Sequence, residues 1–114
     1  SEAKFRSTVD RLAEGVFVVD PATNKVVDAN AAVLTMLGYT ATEFVGRSPT
    51  DIVAQESPDV VARTVAHIES ELTRVGRCDL GRKHFRHKDG SPVPVDVRVT
   101  LVPDGGAGLH AVVV

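Results

Sequence analysis

From Val93 to Leu101 the chain alternates without a break: Val93, Val95, Val97, Val99 and Leu101 are apolar, and Pro94, Asp96, Arg98 and Thr100 lie between them. Side chains of a strand point to opposite faces in turn, so this period of two specifies a strand with one apolar face. Asp89-Gly90 just before it is a strong hairpin dipeptide, because both residue types tolerate the left-handed backbone of a tight turn. The preceding stretch, Lys83 to Lys88, therefore reads as a strand bounded by that turn. Pro92 and Pro94 remove two N–H donors early in the alternating strand, which predicts that its first residues overhang the pairing or form a bulge.

Upstream, punctuation divides the chain into short elements. Val16 to Asp20 and Lys25 to Asp28 are β-type runs separated by the turn formers Pro21-Ala22-Thr23-Asn24, which predicts an antiparallel hairpin. Asn30 can cap a helix over Ala31 to Leu37, stopped by Gly38. Thr40 and Glu43 have capping-box spacing, and Ser48-Pro49 and Ser57-Pro58 each put proline at a first helical position. The second pair opens the longest helix, roughly Pro58 to Val75, ended by Gly76. Beyond the alternating strand, Pro103 to Gly108 is a glycine-rich turn and Leu109 to Val114 a final strand. Ahead of everything, Phe5, Val9 and Leu12 form one stripe of a short amphipathic helix. The expected organisation is a flanking helix over residues 1–14 and one core over 15–114. The order of elements makes that core α+β with a largely antiparallel sheet.

Composition narrows the function classes. A chain of 114 residues forms one core, so a cleft between two lobes is not expected. A formal charge of −2 provides no field to recruit nucleic acid or an anionic membrane. The single cysteine, Cys78, excludes an internal disulfide and suits a reducing, cytoplasmic setting. No apolar run approaches the ~20 residues that span a bilayer, and no signal peptide is visible. Four Phe, one Tyr and no Trp leave the core to Val, Leu, Ile and Ala.

Several blocks together carry a family likeness. They are Glu14-Gly15-Val16-Phe17-Val18-Val19-Asp20, Val27-Asp28-Ala29-Asn30-Ala31-Ala32, Met36-Leu37-Gly38-Tyr39-Thr40 and Glu43-Phe44-Val45-Gly46-Arg47-Ser48. The late block is Phe85-Arg86-His87-Lys88-Asp89-Gly90-Ser91-Pro92-Val93-Pro94-Val95. In this order and at these spacings the sequence resembles a PAS domain over nearly its whole length. The resemblance implies a five-stranded antiparallel sheet, ordered 2-1-5-4-3, with short helices and one long helix packed on one face. It also implies a sensory, relay or dimerisation module of a larger signalling protein, with an effector such as a histidine kinase or diguanylate cyclase in the same polypeptide. The chain stops at Val114, before the Asp-Ile/Val-Thr signature that closes such domains, so a piece of a longer protein is expected.

Each chemical candidate has a structural counterpart. Asn30 is read as a helix cap worth about 1 kcal/mol. Flavin light sensors of the family carry their reactive cysteine after Asp-Ile; here Asp51-Ile52-Val53-Ala54-Gln55-Glu56 has none, so Cys78 is read as a structural or surface thiol. Haem-binding members take a histidine from the long helix. The stripe Val61, Val65, Ile68, Leu72 and Val75 lies within about 40° of one axis, and His67 about 120° away, which makes it a weak haem-ligand candidate. Neither haem nor flavin is expected, and no cofactor is predicted. His84 and His87 fall on opposite strand faces, so with Cys78 they do not make a metal site. Arg82-Lys83-His84-Phe85-Arg86-His87-Lys88, with Arg74 and Arg77 before it, is a basic run that suits a protected edge strand. An acidic docking partner is the alternative, and nucleic acid is disfavoured because only Phe85 is interleaved. Gly105-Gly106-Ala107-Gly108 is a turn, not a phosphate loop, and no catalytic constellation is recognisable, so the domain alone is not expected to be an enzyme.

The interior remains. By position in the family, a pocket between the sheet and the long helix would be lined by Phe17, Val19, Leu34, Leu37, Phe44, Val65, Ile68, Phe85, Val97 and Leu101. The parity of the first strand is open, and Val16 and Val18 are the alternatives to Phe17 and Val19. With no charge evidently aimed inward, a bound molecule would be apolar; equally, the side chains could fill the space. The two functions in view are relay through a homodimer formed by the Phe5, Val9 and Leu12 helix, and sensing of a small apolar ligand. That helix could also fold back over the sheet.

Overall fold

The turn formers and caps divide the chain in the following order, in a computed structural model that describes residues 14–54, 56–102 and 110–114. Strands β1 (Val16–Asp20) and β2 (Lys25–Ala29) are followed by helices α1 (Ala31–Leu37), α2 (Ala41–Phe44), α3 (Pro49–Ile52) and α4 (Pro58–Val75). Strands β3 (Arg77–Arg86), β4 (Pro92–Leu101) and β5 (His110–Val113) complete the order. The strands form one antiparallel sheet with the order β2-β1-β5-β4-β3. The expected helix at Phe5, Val9 and Leu12 and the turn at Gly105-Gly106-Ala107-Gly108 lie outside the described residues.

β1 sits between β2 and β5, and its continuous apolar run fits burial on both faces. Phe17 and Val19 join the main core, whereas Val16 and Val18 are also buried but stand apart from that cluster. This settles the parity of the first strand in favour of Phe17 and Val19. Among the described residues, the aromatic side chains fall in one line. Phe85 lies 6.1 Å from Phe17, Phe17 meets Phe44 edge-on at 5.5 Å, and Tyr39 follows Phe44 at 5.5 Å. The Arg47 guanidinium closes the line 4.5 Å over the Tyr39 ring.

Asn30 does more than cap α1. Its Oδ1 accepts from the Val33 N–H at 3.0 Å and from the Val16 N–H at 2.9 Å, and its Nδ2 donates to the Glu14 carbonyl at 2.8 Å. One buried side chain therefore ties the start of β1 to the start of α1. The Thr40–Glu43 capping box forms as its spacing predicts, and Lys88 from the β3–β4 hairpin pairs with the same Glu43. That pairing holds the Glu43 carboxyl down at about 2, with the Lys88 hydrogen bond the leading cause.

Two expectations about the late strands change. β3 begins at Arg77, directly after the Gly76 cap, rather than near Lys83. Its pattern was obscured by a bulge between Asp79 and Gly81, where Gly81 adopts φ 67°. The extra residue shifts the strand parity, so the buried or half-buried side chains run Cys78, Leu80, then Lys83, Phe85. The prolines neither overhang nor bulge: Pro92 pairs with Arg86 and Pro94 with His84. Because the His87 N–H donates to the Ser91 carbonyl at 2.8 Å, the next pair inward, Arg86–Pro92, is a non-hydrogen-bonded one. Both prolines thus turn their missing N–H away from β3, on a side that β5 reaches only from Arg98 onward.

Candidate functional site

The 18-residue helix α4 is amphipathic, yet of its apolar stripe only Leu72 is fully buried. The reason is its attachment. Gly76, at φ 79°, caps the helix by donating to the Leu72 carbonyl and leads straight into β3, so the C-terminal end is held against the edge strand. Val61 and Ile68 are half-buried and Val65 remains 48% exposed. Beneath this stripe lies a cavity of about 470 Å³.

The floor of the cavity is the inner face of the sheet: Phe17 from β1, Leu80, Lys83 and Phe85 from β3, Val97 and Val99 from β4, and Val112 from β5. Val61, Thr64, Val65 and Ile68 of α4 form the roof. Pro49 and Thr50 of α3, with Val53 and Ala54 after it, close one side. That side is held along β3 by a bridge between Val53 and Phe85 and by the Ala54 N–H donating to the His84 carbonyl at 2.8 Å. Glu56, just before the α4 cap Ser57, faces Lys83 across the opening at 4.0 Å, and both side chains are 26% exposed. The lining is thus mostly apolar with a charged rim.

Of the residues expected here, Phe17, Val65, Ile68, Phe85 and Val97 do line this cavity. Val19, Leu37 and Phe44 are buried in the core, and Leu34 packs half-buried against it; none of the four lines the cavity. They pack in or against the main core, where Phe44 meets Phe17 edge-on at 5.5 Å. Leu101 is corrected outright: it is 42% exposed, because β3 covers β4 only as far as the Arg77–Thr100 pair and Leu101 runs past it. The expectation that no charge points inward also changes, since Lys83 shares the inner face with Phe85 two residues on. That signal was available in the sequence, as residues two apart on a strand share a face. Glu56, Thr64, Leu80 and Val112 were not foreseen.

The other candidates fall elsewhere. His67 is exposed on the flank of α4 and does not line the cavity, so it is not aimed at a group held there. Cys78 is buried, and burial is the main cause that pushes its thiol pKa up, making it a poor nucleophile. His84 is exposed, while the His87 ring packs where a Cβ on Gly38 would sit. Cys78, His84 and His87 are thus not brought together, and no group of three potential metal ligands occurs among the described residues. The basic run is largely engaged: Arg82 bonds Asp96 at 2.9 Å, Lys83 faces Glu56, and Lys88 pairs with Glu43. No described helix is long and apolar enough to cross a membrane.

Comparisons with known proteins agree with this architecture. A crystal structure of a PAS domain from Colwellia psychrerythraea matches with a TM-score of 0.77 at 17% identity, covering 100% of this chain and 96% of that one. A domain of a sensory box sensor histidine kinase/response regulator from Geobacter sulfurreducens matches at 0.69 and 20% identity, covering 98% and 91%. The PAS domain of an HTR-like protein from Haloarcula marismortui matches at 0.75 and 18% identity, covering 98% and 88%. At these identities the likeness is one of fold. No curated protein matches the sequence. The family model described as PAS domain matches residues 13–114, and with that span the chain belongs to the PAS domain family.

Proposed function

We propose that this domain is the sensory module of a larger signalling protein and that it takes a small molecule into the cavity beneath α4. The observation that carries this is the cavity itself: about 470 Å³, with an apolar floor and, as its roof, a helix whose apolar stripe is fully buried only at Leu72. Pockets that hold small ligands measure about 300–1,000 Å³ and are lined mainly by apolar side chains with a few polar groups. A ligand seated there would cover Val65, now 48% exposed, and complete the burial of Val61 and Ile68. Covering half of a valine side chain contributes about 1 kcal/mol, enough to shift a two-state helix position about fivefold. The helix continues without a loop into β3, so its movement reaches the sheet.

Output then passes to an effector in the same polypeptide, of the histidine kinase or diguanylate cyclase kind, with homodimerisation through Phe5, Val9 and Leu12 as the relay. The position of His67 off the cavity wall and the burial of Cys78 away from it support a ligand other than haem or flavin. Native mass spectrometry and an absorption spectrum of the purified domain test this reading. A reproducible excess mass, released on denaturation and without a Soret or flavin band, is the expected result. An apo mass that stays unchanged after exposure to a library of small apolar and amphipathic compounds would overturn it. Sedimentation as a monomer at high micromolar concentration would remove the dimer relay and leave the ligand reading standing.

A further inference from the structure

The rim of the cavity carries an unbalanced charge. Its ionisable lining residues are Lys83, Arg86 and Glu56, two cations against one carboxylate. Lys83 is the informative one. The bulge at Gly81 places it on the inner face of the sheet with Phe85, where its side chain is only 26% exposed. Its one described ion-pair partner, Glu56, stands at 4.0 Å, the far limit of contact. Among the described residues, no carboxylate pairs with Arg86. A half-buried ammonium with a loose partner is under-compensated, and an anion that reaches it gains a charge-assisted hydrogen bond.

From this we infer that the ligand is an amphipathic monoanion, a carboxylate on a short apolar body, with its head held at Lys83 and its body on Phe17, Phe85 and Val97. The proposal rests on the ligand-binding function set out above and adds its chemical class. Size agrees: the cavity has room for roughly 16 water volumes of about 30 Å³ each, space for an acyl chain of medium length rather than a long lipid. The apolar floor selects against small polar anions, which would leave it bare. The cationic rim selects against amines. Glu56 competes with the ligand for Lys83, so binding releases the Glu56–Lys83 contact just before the start of α4.

Calorimetric titration of the purified domain with octanoate, 1-octanol and octylammonium separates the terms, because the apolar body is shared and only the head differs. Octanoate is expected to bind about tenfold more tightly than octanol, the gain of one hydrogen bond to a charged group. Lys83→Met, which keeps the stem, is expected to remove that difference, so that octanoate no longer binds more tightly than octanol. Glu56→Gln is expected to tighten octanoate further. If octanol and octanoate bind equally to the wild-type domain and to Lys83→Met, the cavity binds ligands but the anion proposal fails. Preferential binding of octylammonium also overturns it. If none of the three binds, the anion proposal falls, and the ligand-binding reading falls with it only if the compound library also leaves the native mass unchanged. Where binding is seen, Val65→Trp, which narrows the cavity, is expected to abolish it.

Discussion

Replacing Asn30 tests whether one buried amide couples two elements or merely caps one. Asn30→Ala removes, among the described residues, the hydrogen bonds from the Val33 and Val16 N–H groups to Oδ1 and that from Nδ2 to the Glu14 carbonyl. Loss of the cap costs about 1 kcal/mol. The Val16 N–H is then left in a buried site without its acceptor, which costs about 1–3 kcal/mol more. The sum, about 2–4 kcal/mol, is a large share of the roughly 5–15 kcal/mol that holds a domain of this size together. Asn30→Ser separates the terms: its short hydroxyl can still cap Val33 but cannot also span to Val16 and Glu14. Urea unfolding followed by circular dichroism gives both changes, provided the m-value is constant across the series. At about 4 °C per kcal/mol for a chain of this length, Asn30→Ala should lower Tm by about 8–16 °C, and Asn30→Ser should fall between it and the wild type. Asn30→Ser within about 0.5 kcal/mol of the wild type would refute the coupling and leave Asn30 as a cap alone.

Three further outcomes follow from the titrating groups. The Glu43 carboxyl is held at about 2 against an ordinary 4.5, so the stability it contributes is complete above pH 4.5 and drains away as pH falls towards 2; Lys88→Met should raise its NMR-measured pKa, while the Thr40 hydrogen bonds still hold it below 4.5. Burial of His110 lowers its pKa below 6.5, so protons bind the unfolded chain first and stability drops as pH falls below 6.5; His110→Gln should flatten that slope in urea titrations at pH 7.5 and 5.5. Cys78, buried and with its thiol pKa raised, should react with a disulfide reagent far more slowly in the native state than in urea, and equal rates would contradict its placement.

The parts of the fold that local chemistry dictates were legible in the residues. Asn30 and Gly38 bracket α1, Ser57-Pro58 and Gly76 bracket α4, and the Val93–Leu101 alternation marks β4, because caps, φ preferences and a period of two are properties of a few neighbouring residues. The start of β3 was not legible. An extra residue at Leu80–Gly81 breaks the alternation, and a bulge is recognised only once the partner strand supplies the register. The harmless placement of Pro92 and Pro94 had the same origin, since which N–H groups face β3 depends on the hairpin's register and not on the prolines.

For the site the division is similar. Phe17, Val65, Ile68, Phe85 and Val97, expected near the cavity by their position in the family resemblance, do line it. That Val19, Leu34, Leu37 and Phe44 pack in or against the core instead depends on contacts between residues far apart in the chain, such as Phe17 with Phe44. The sequence by itself determined the element order, the caps, the apolar stripe of α4 and the membership of that stripe. The tertiary structure alone decided that the stripe is only partly covered, because α4 is anchored at Leu72 and Gly76 while Val61, Val65 and Ile68 roof a cavity. The same packing turned Lys83 from one cation in a basic run into the charged edge of a cavity, since a side chain's surroundings are set by what the rest of the chain brings to it.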